Sequence, residues 1–170
     1  LATGIADESG AACLFRGVES PYAAEPFPGA ICASLNEQVV HGIPSPQVVL
    51  RDGDLLSVDF GVKLAGYCGD AAVTIGVGDV DPERRRLMDV TRRLLEIAVE
   101  HMAPGVKWSE VAGRMERAAQ QAGFSVVKDF VGHGIGTEMH EDPKVPNFVS
   151  RELLRNDIIL KEGMVLAVEQ

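Results

Sequence analysis

Two runs rich in β-branched and aromatic residues, DLLSVDFG and YCGDAAVTIGVG, lie between Asp54 and Gly78 with only a short KLAG-containing turn separating them. Nothing else in the chain restricts its fold so strongly. Strands this close in sequence pair antiparallel as a hairpin, and their side chains alternate between two faces. If Val62 pairs with Tyr67, Asp59 stands directly opposite Asp70 on one face, and a one-residue slip still keeps the acids close. Facing carboxylates repel by roughly a few tenths of a kcal/mol, and burial raises that cost. The one basic side chain between them is Lys63, in the turn. A divalent cation removes the conflict, and a carboxylate has oxygens enough for two cations. The competing explanation is that one aspartate is exposed at a sheet edge.

Around the hairpin the pattern alternates between helix and strand. LATGIADESGAACLF reads as the end of a helix passing through Gly10 into a strand, and the stretch from Arg16 to Pro28, with its three prolines, as an irregular surface loop. Ala30 to Leu35 is a short apolar run. Asp81 caps a helix whose first turn holds Pro82 and Glu83; Leu87, Val90, Leu94, Ile97 and Ala98 mark its apolar face as far as about Met102. A second helix runs from about Ser109 to Ala122 and stops at Gly123. FSVVKDFV reads as a strand, RELLRNDIILKEG as a connection and MVLAVE as a last strand.

With 170 residues, 46% of them hydrophobic and 24% charged, the chain suits one globular domain. No apolar run approaches the ~18 residues of a membrane span, and the start lacks the pattern of a signal peptide. A formal charge of −9 argues against nucleic acid as the main ligand. Cys13, Cys32 and Cys68 are odd in number and lack CxxC spacing, which argues against a disulfide frame or a zinc ribbon and suits a reducing cytoplasm. Cys68 is expected to be a small buried hydrophobe.

The histidines sharpen the picture. His101 falls in the last turn of a helix, where a cation suits the dipole. His133 lies among Gly132, Gly134 and Gly136, which let backbone or ligand come close. GHGIG is not a dinucleotide fingerprint, and Lys144 stands where an H-E-x-x-H motif starting at His140 needs its second histidine. Glu169 shares a strand face with Val165 and Ala167.

Asp59, then Asp70, His133 in GHGIG, His140 in MHEDP and Glu169 in EGMVLAVE follow one another in an order that resembles the methionine aminopeptidases of the pita-bread fold. SLNEQVVHGIP, with His41, resembles another stretch of that family. The likeness runs over nearly the whole chain, most clearly from Phe27 to Glu169, and is to the type I, bacterial form. It implies an α+β fold, a curved antiparallel sheet covered by helices, in a single catalytic domain over residues 1–170. It implies two divalent metal ions (Co, Mn, Fe or Zn) held by Asp59, Asp70, His133 and Glu169, with Asp70 bridging both. His41 and His140 would hold the substrate and the developing tetrahedral centre, and Glu169 would handle the proton of the attacking water. Cys13, Phe27 and Cys32 fall in neighbourhoods matching the family's methionine pocket, and Met139 stands where some members have an aromatic residue.

The partners so implied are nascent polypeptides beginning with Met, with ribosome association and a monomeric, cytoplasmic enzyme as further expectations. The family has a fifth ligand, a glutamate from a strand beyond the position of Gln170, and usually a proline where Gln170 stands. The chain is therefore expected to be a piece of a longer protein, lacking the family's N-terminal helix and C-terminal strands. Three other readings compete: an Xaa-Pro peptidase of the same fold, which shares the ligand order; a catalytically dead protein-binding module; and an α/β domain with incidental acids.

Overall fold

The computed structural model describes residues 2–19 and 24–170. They form two compact units, Leu1–Arg85 with Gly136–Met139, and Arg86–Ile135 with His140–Gln170. Helices and antiparallel sheets are both present, the α+β class expected from the sequence. Among the described residues no helix is long and apolar enough to cross a membrane.

The first unit is built on the hairpin. After helix α1 (Ala2–Glu8) come β1 (Ala12–Cys13), β2 (Cys32–Leu35), β3 (Leu55–Leu64) and β4 (Tyr67–Gly76). All pairings are antiparallel: β1 and β2 lie along one edge of β3, and β4 runs along its whole other edge. The register corrects the expected one. Leu64, not Val62, pairs with Tyr67, so Asp59 faces Ala72 and Asp70 faces Gly61. The cause is a two-residue turn in which Ala65 (φ 51) and Gly66 (φ 88) are both left-handed, the geometry that matches strand twist. The shift is an even number of residues, so the two acids keep a common face but stand diagonally, about 7–8 Å apart by sheet geometry. Cys68 is half-buried on β4 and is not the core residue expected. Of the expected loop from Arg16 to Pro28, residues 20–23 lie outside the described residues; the others are in neither helix nor strand.

The second unit holds the larger core. Helix α2 spans Pro82–His101, its first turn counted with the first unit, and α3 spans Trp108–Gln121. Asp81 Oδ1 accepts the Glu83 and Arg84 amides at 2.8 and 3.4 Å, as a cap should. The start of α3 is capped from afar: Asp157 accepts from Ser109 N at 3.1 Å and from the Ser109 hydroxyl. Gly123, with φ 81, ends it. Trp108, Val111 and Met115 on α3 and Val145 are fully buried; each contributes about 1.5–3 kcal/mol of transfer free energy as an upper estimate. On α2, Leu94 and Ala98 are buried, but Leu87, expected inward, is 40% exposed. His101 fits its expected place, its Nδ1 2.8 Å from the Ile97 carbonyl at the helix end.

The sheet of this unit has β5 (Gly132–Gly134) between β6 (Glu141–Val145) and β7 (Leu166–Ala167). It departs from expectation in two ways. FSVVKDFV forms no strand; Val127 and Phe130 are 42% and 44% exposed, and pairing begins only at Gly132. β-Propensity there loses to packing, because only glycine fits beneath both neighbours of β5. A Cβ on Gly132 would stand 2.2 Å from the Ala167 carbonyl oxygen, and one on Gly134 would stand 2.4 Å from that of Asp142. The expected final strand shrinks to two ladder residues. Between β6 and β7 a short helix, α4 (Arg151–Arg155), is capped by Ser150, whose hydroxyl accepts the Leu153 amide at 3.0 Å.

Candidate functional site

Seven of the candidate site residues lie in the first unit, and four of them, Cys32, Asp59, Asp70 and Met139, meet at one sheet face. Asp59 and Asp70 share that face, and Cys32 on β2 pairs directly with Asp59. Cys32 is 4% exposed. Burial first, then the charges of Asp59 and Asp70, push its thiol from 9.0 up to about 11. At neutral pH it is therefore a protonated thiol and a poor nucleophile. The shift also registers the negative field that the two carboxylates make on this face.

His41 is held beside β2 by its neighbour. Gly42 donates to Ser34 Oγ at 3.0 Å and accepts from Ala33 N at 2.8 Å. A Cβ at Gly42 would stand 2.4 Å from the Ala33 carbonyl oxygen, so the contact needs glycine. His41 itself has φ 59, a left-handed conformation uncommon for a non-glycine residue, and its side chain is exposed.

Met139 comes to the sheet on the Gly136–Met139 segment. Cys68 N donates to the Gly136 carbonyl at 2.7 Å, and Lys63 Nζ donates to that of Thr137. Gly61, directly opposite Asp70, has no side chain, and the Met139 methyl fills the space 2.8 Å from where its Cβ would stand. The Phe15 ring edge reaches the same point at 2.9 Å. Phe15 and Gly61 were not singled out from sequence; no spacing marked them. Cys13 is half-buried on β1, paired with Val62. Phe27 is half-buried and is bonded through its backbone to Gly17 and Val18, both at 2.8 Å.

In the second unit His133, Glu169 and His140 come together. The His133 side chain is 7% exposed; its Nε2 is 3.1 Å from Glu169 Oε1, and its Nδ1 is 2.8 Å from the Gly134 carbonyl oxygen. That carbonyl only accepts, so Nδ1 carries the proton. In the neutral ring the Nε2 lone pair then faces a carboxylate oxygen, an arrangement that calls for a cation or a proton. Carboxylates and an imidazole are a donor set suited to Mn, Fe, Co or Zn ions, so these residues fit a divalent metal. The His140 ring lies 4.4 Å from that of His133, tilted by 57°.

The family model described as metallopeptidase family M24 matches residues 5–170. The methionine aminopeptidase of Aquifex aeolicus is 36% identical over 163 residues, covering 96% of this chain and 63% of that one. Among solved structures, the methionine aminopeptidase of Thermotoga maritima superposes with a TM-score of 0.87 at 37% identity, over 98% of this chain and 63% of that one. The prolidase of Pyrococcus horikoshii OT3 gives 0.69 at 26% identity, over 81% and 38%. The chain thus spans just under two thirds of the length of these aminopeptidases.

Proposed function

The chain belongs to metallopeptidase family M24, with the pita-bread fold of its aminopeptidases and prolidases, and from that premise we propose that it is the metal-binding body of a methionine aminopeptidase. The reaction is hydrolytic removal of the N-terminal methionine from new polypeptides in the cytoplasm. Asp59, Asp70, His133 and Glu169 are the ligands of two divalent ions. The observation that carries this reading is the pair of carboxylates on one hairpin face, whose field helps hold the neighbouring Cys32 thiol protonated.

Divalent ions, when bound, lower the pKa of a water molecule and polarise a carbonyl group. The chain's own residues do the rest. Glu169 takes a proton from the attacking water and passes it towards the leaving amine. His140 donates to the carbonyl oxygen as negative charge develops there. His41 orients the substrate backbone, while Cys32, Cys13, Phe27 and Met139 wall the pocket for the first side chain. A polarizable thioether such as Met139 suits a methionine substrate.

The prolidase likeness gives a second reading, cleavage at Xaa-Pro bonds, at lower identity and coverage. The test is metal stoichiometry with hydrolysis of Met-Ala-Ser and Ala-Pro by the full natural chain. Two divalent ions per chain and preferential release of Met are expected. Preference for Ala-Pro would replace the first reading with the second; a chain that binds no metal and cleaves neither peptide would overturn both.

A further inference from the structure

Glu169 stands two residues beyond Ala167, the last residue of β7 in ladder pairing. Its carboxylate is nonetheless 3.1 Å from His133 Nε2, on a side chain 45% exposed. A carboxylate on the unladdered end of a two-residue strand needs something else to fix its main chain. Asn147 supplies it. The residue is 4% exposed, in the loop after β6. Its Nδ2 donates to the Glu169 carbonyl, and its Oδ1 accepts from Gln170 Nε2 at 3.2 Å. Since a carbonyl only accepts, this contact fixes which end of the amide faces Glu169.

The loop that carries Asn147 is itself held on both sides. Trp108, wholly buried, donates its indole N–H to the Pro146 carbonyl at 2.7 Å, and Val149 N donates to Glu116 Oε2 at 3.1 Å. Gln170 Nε2 also lies 3.0 Å from the Met115 sulfur. The path from core to carboxylate is continuous: α3, the Asn147 loop, the Glu169 main chain, the Glu169 side chain.

We propose that Asn147 is a positioning residue for Glu169, its buried amide setting where the Glu169 carboxylate stands against His133. This rests on the reading of Glu169 and His133 as ligands given above. A group that orients a ligand in this way is worth about ten- to a hundredfold in metal affinity.

The experiment is Mn²⁺ titration by calorimetry on the full natural chain, with Asn147→Asp, Asn147→Ala and, as a core control, Met115→Leu. Asn147→Asp puts an acceptor against the Glu169 carbonyl and should weaken Mn²⁺ binding about ten- to a hundredfold. Met115→Leu removes the sulfur contact to Gln170 Nε2 but keeps the Asn147 amide on the Glu169 carbonyl, so it should lower Tm yet leave Mn²⁺ affinity within about twofold. Wild-type affinity in both Asn147 variants, or an equal loss in Met115→Leu, would overturn the proposal.

A second measurement separates this proposal from the metal reading. It is amide hydrogen exchange across Val168–Gln170 in the metal-free chain, which reports local opening. Exchange at least about tenfold faster in Asn147→Ala supports the clamp, and unchanged exchange overturns it, whether or not wild type binds Mn²⁺. Wild type binding no Mn²⁺ would instead sink the metal centre proposed above.

Discussion

The two sheets place their chemical groups by different means. In the first unit, β3 and β4 pair over ten residues each, and the ladder alone puts Asp59 and Asp70 on one face. In the second, the strands have three, five and two residues. There, glycines pressed against backbone and a buried asparagine do the placing. A long ladder tolerates a change of side chain, because its position comes from the main chain. A short one has little backbone pairing in reserve, so its side chains and its missing side chains carry the geometry.

The largest effect should come from the hairpin, in binding alone. Asp70→Asn keeps shape and ladder but removes a charge; it should abolish metal binding and cut Met-Ala-Ser turnover at least about a thousandfold, about 4 kcal/mol or more in transition-state stabilisation. Tm in the metal-free protein should hold or rise, since a repulsion is relieved. Full metal occupancy in this variant would refute the ligand role, and a large fall in Tm would refute the forgiving ladder. His140→Ala makes the companion test: metal retained, turnover down about a hundred- to a thousandfold. Near-normal turnover would remove it from the proposed mechanism.

The same contrast decided what could be read from the sequence. The hairpin was visible because both runs alternate and lie close together, and the common face of Asp59 and Asp70 survived a register error of two residues. The error came from the turn: Ala-Gly is not the usual pair for two left-handed residues, so KLAG gave no length signal. In the second unit the signal pointed the wrong way. FSVVKDFV has strand composition and no ladder, while Gly132–Gly134 has poor propensity and lies mid-sheet. Glycine is there for lack of room, which is a property of neighbours distant in sequence. Asn147, next to Pro146, looks like any turn residue until the strand end it holds is seen.

Next in size is Gly134→Ala, which attacks the short sheet directly. The new Cβ would meet Asp142 O at 2.4 Å and Glu141 O at 3.0 Å, both backbone atoms that cannot rotate away. A loss of about 3 kcal/mol or more is expected in denaturant unfolding, with metal affinity falling alongside it because His133 is the adjacent residue. A wild-type midpoint would show that β5 shifts freely and would erase the contrast between the sheets.

A smaller effect follows from Cys32 and depends on pH. Its thiol is raised above the unfolded value, so the folded state holds the proton more tightly. The resulting stability is complete below about pH 9 and is lost as pH climbs through about 11. Metal-free wild type should therefore lose on the order of 2 kcal/mol more than Cys32→Ala between pH 8.5 and 11. Loading with Mn²⁺ should shrink the difference without removing it, since burial is the larger cause. A difference unchanged by Mn²⁺ would show that the field of Asp59 and Asp70 does not reach the thiol, and parallel profiles of metal-free wild type and Cys32→Ala would show that the thiol is not raised at all.

The smallest expected effect is the most direct check on the comparison. Gly69 lies in β4 next to Asp70 and pairs with Val62, and its φ is not in the left-handed range. A Cβ there would touch only Val62 Cγ2, at 4.0 Å. Gly69→Ala should thus change stability by no more than about 0.5 kcal/mol, or raise it slightly through lower unfolded-state entropy. Metal affinity should stay within about twofold of wild type, because the ladder still holds Asp70. If Gly69→Ala proves as damaging as Gly134→Ala, backbone pairing is not what positions Asp70, and the hairpin depends on close glycine packing as the short sheet does.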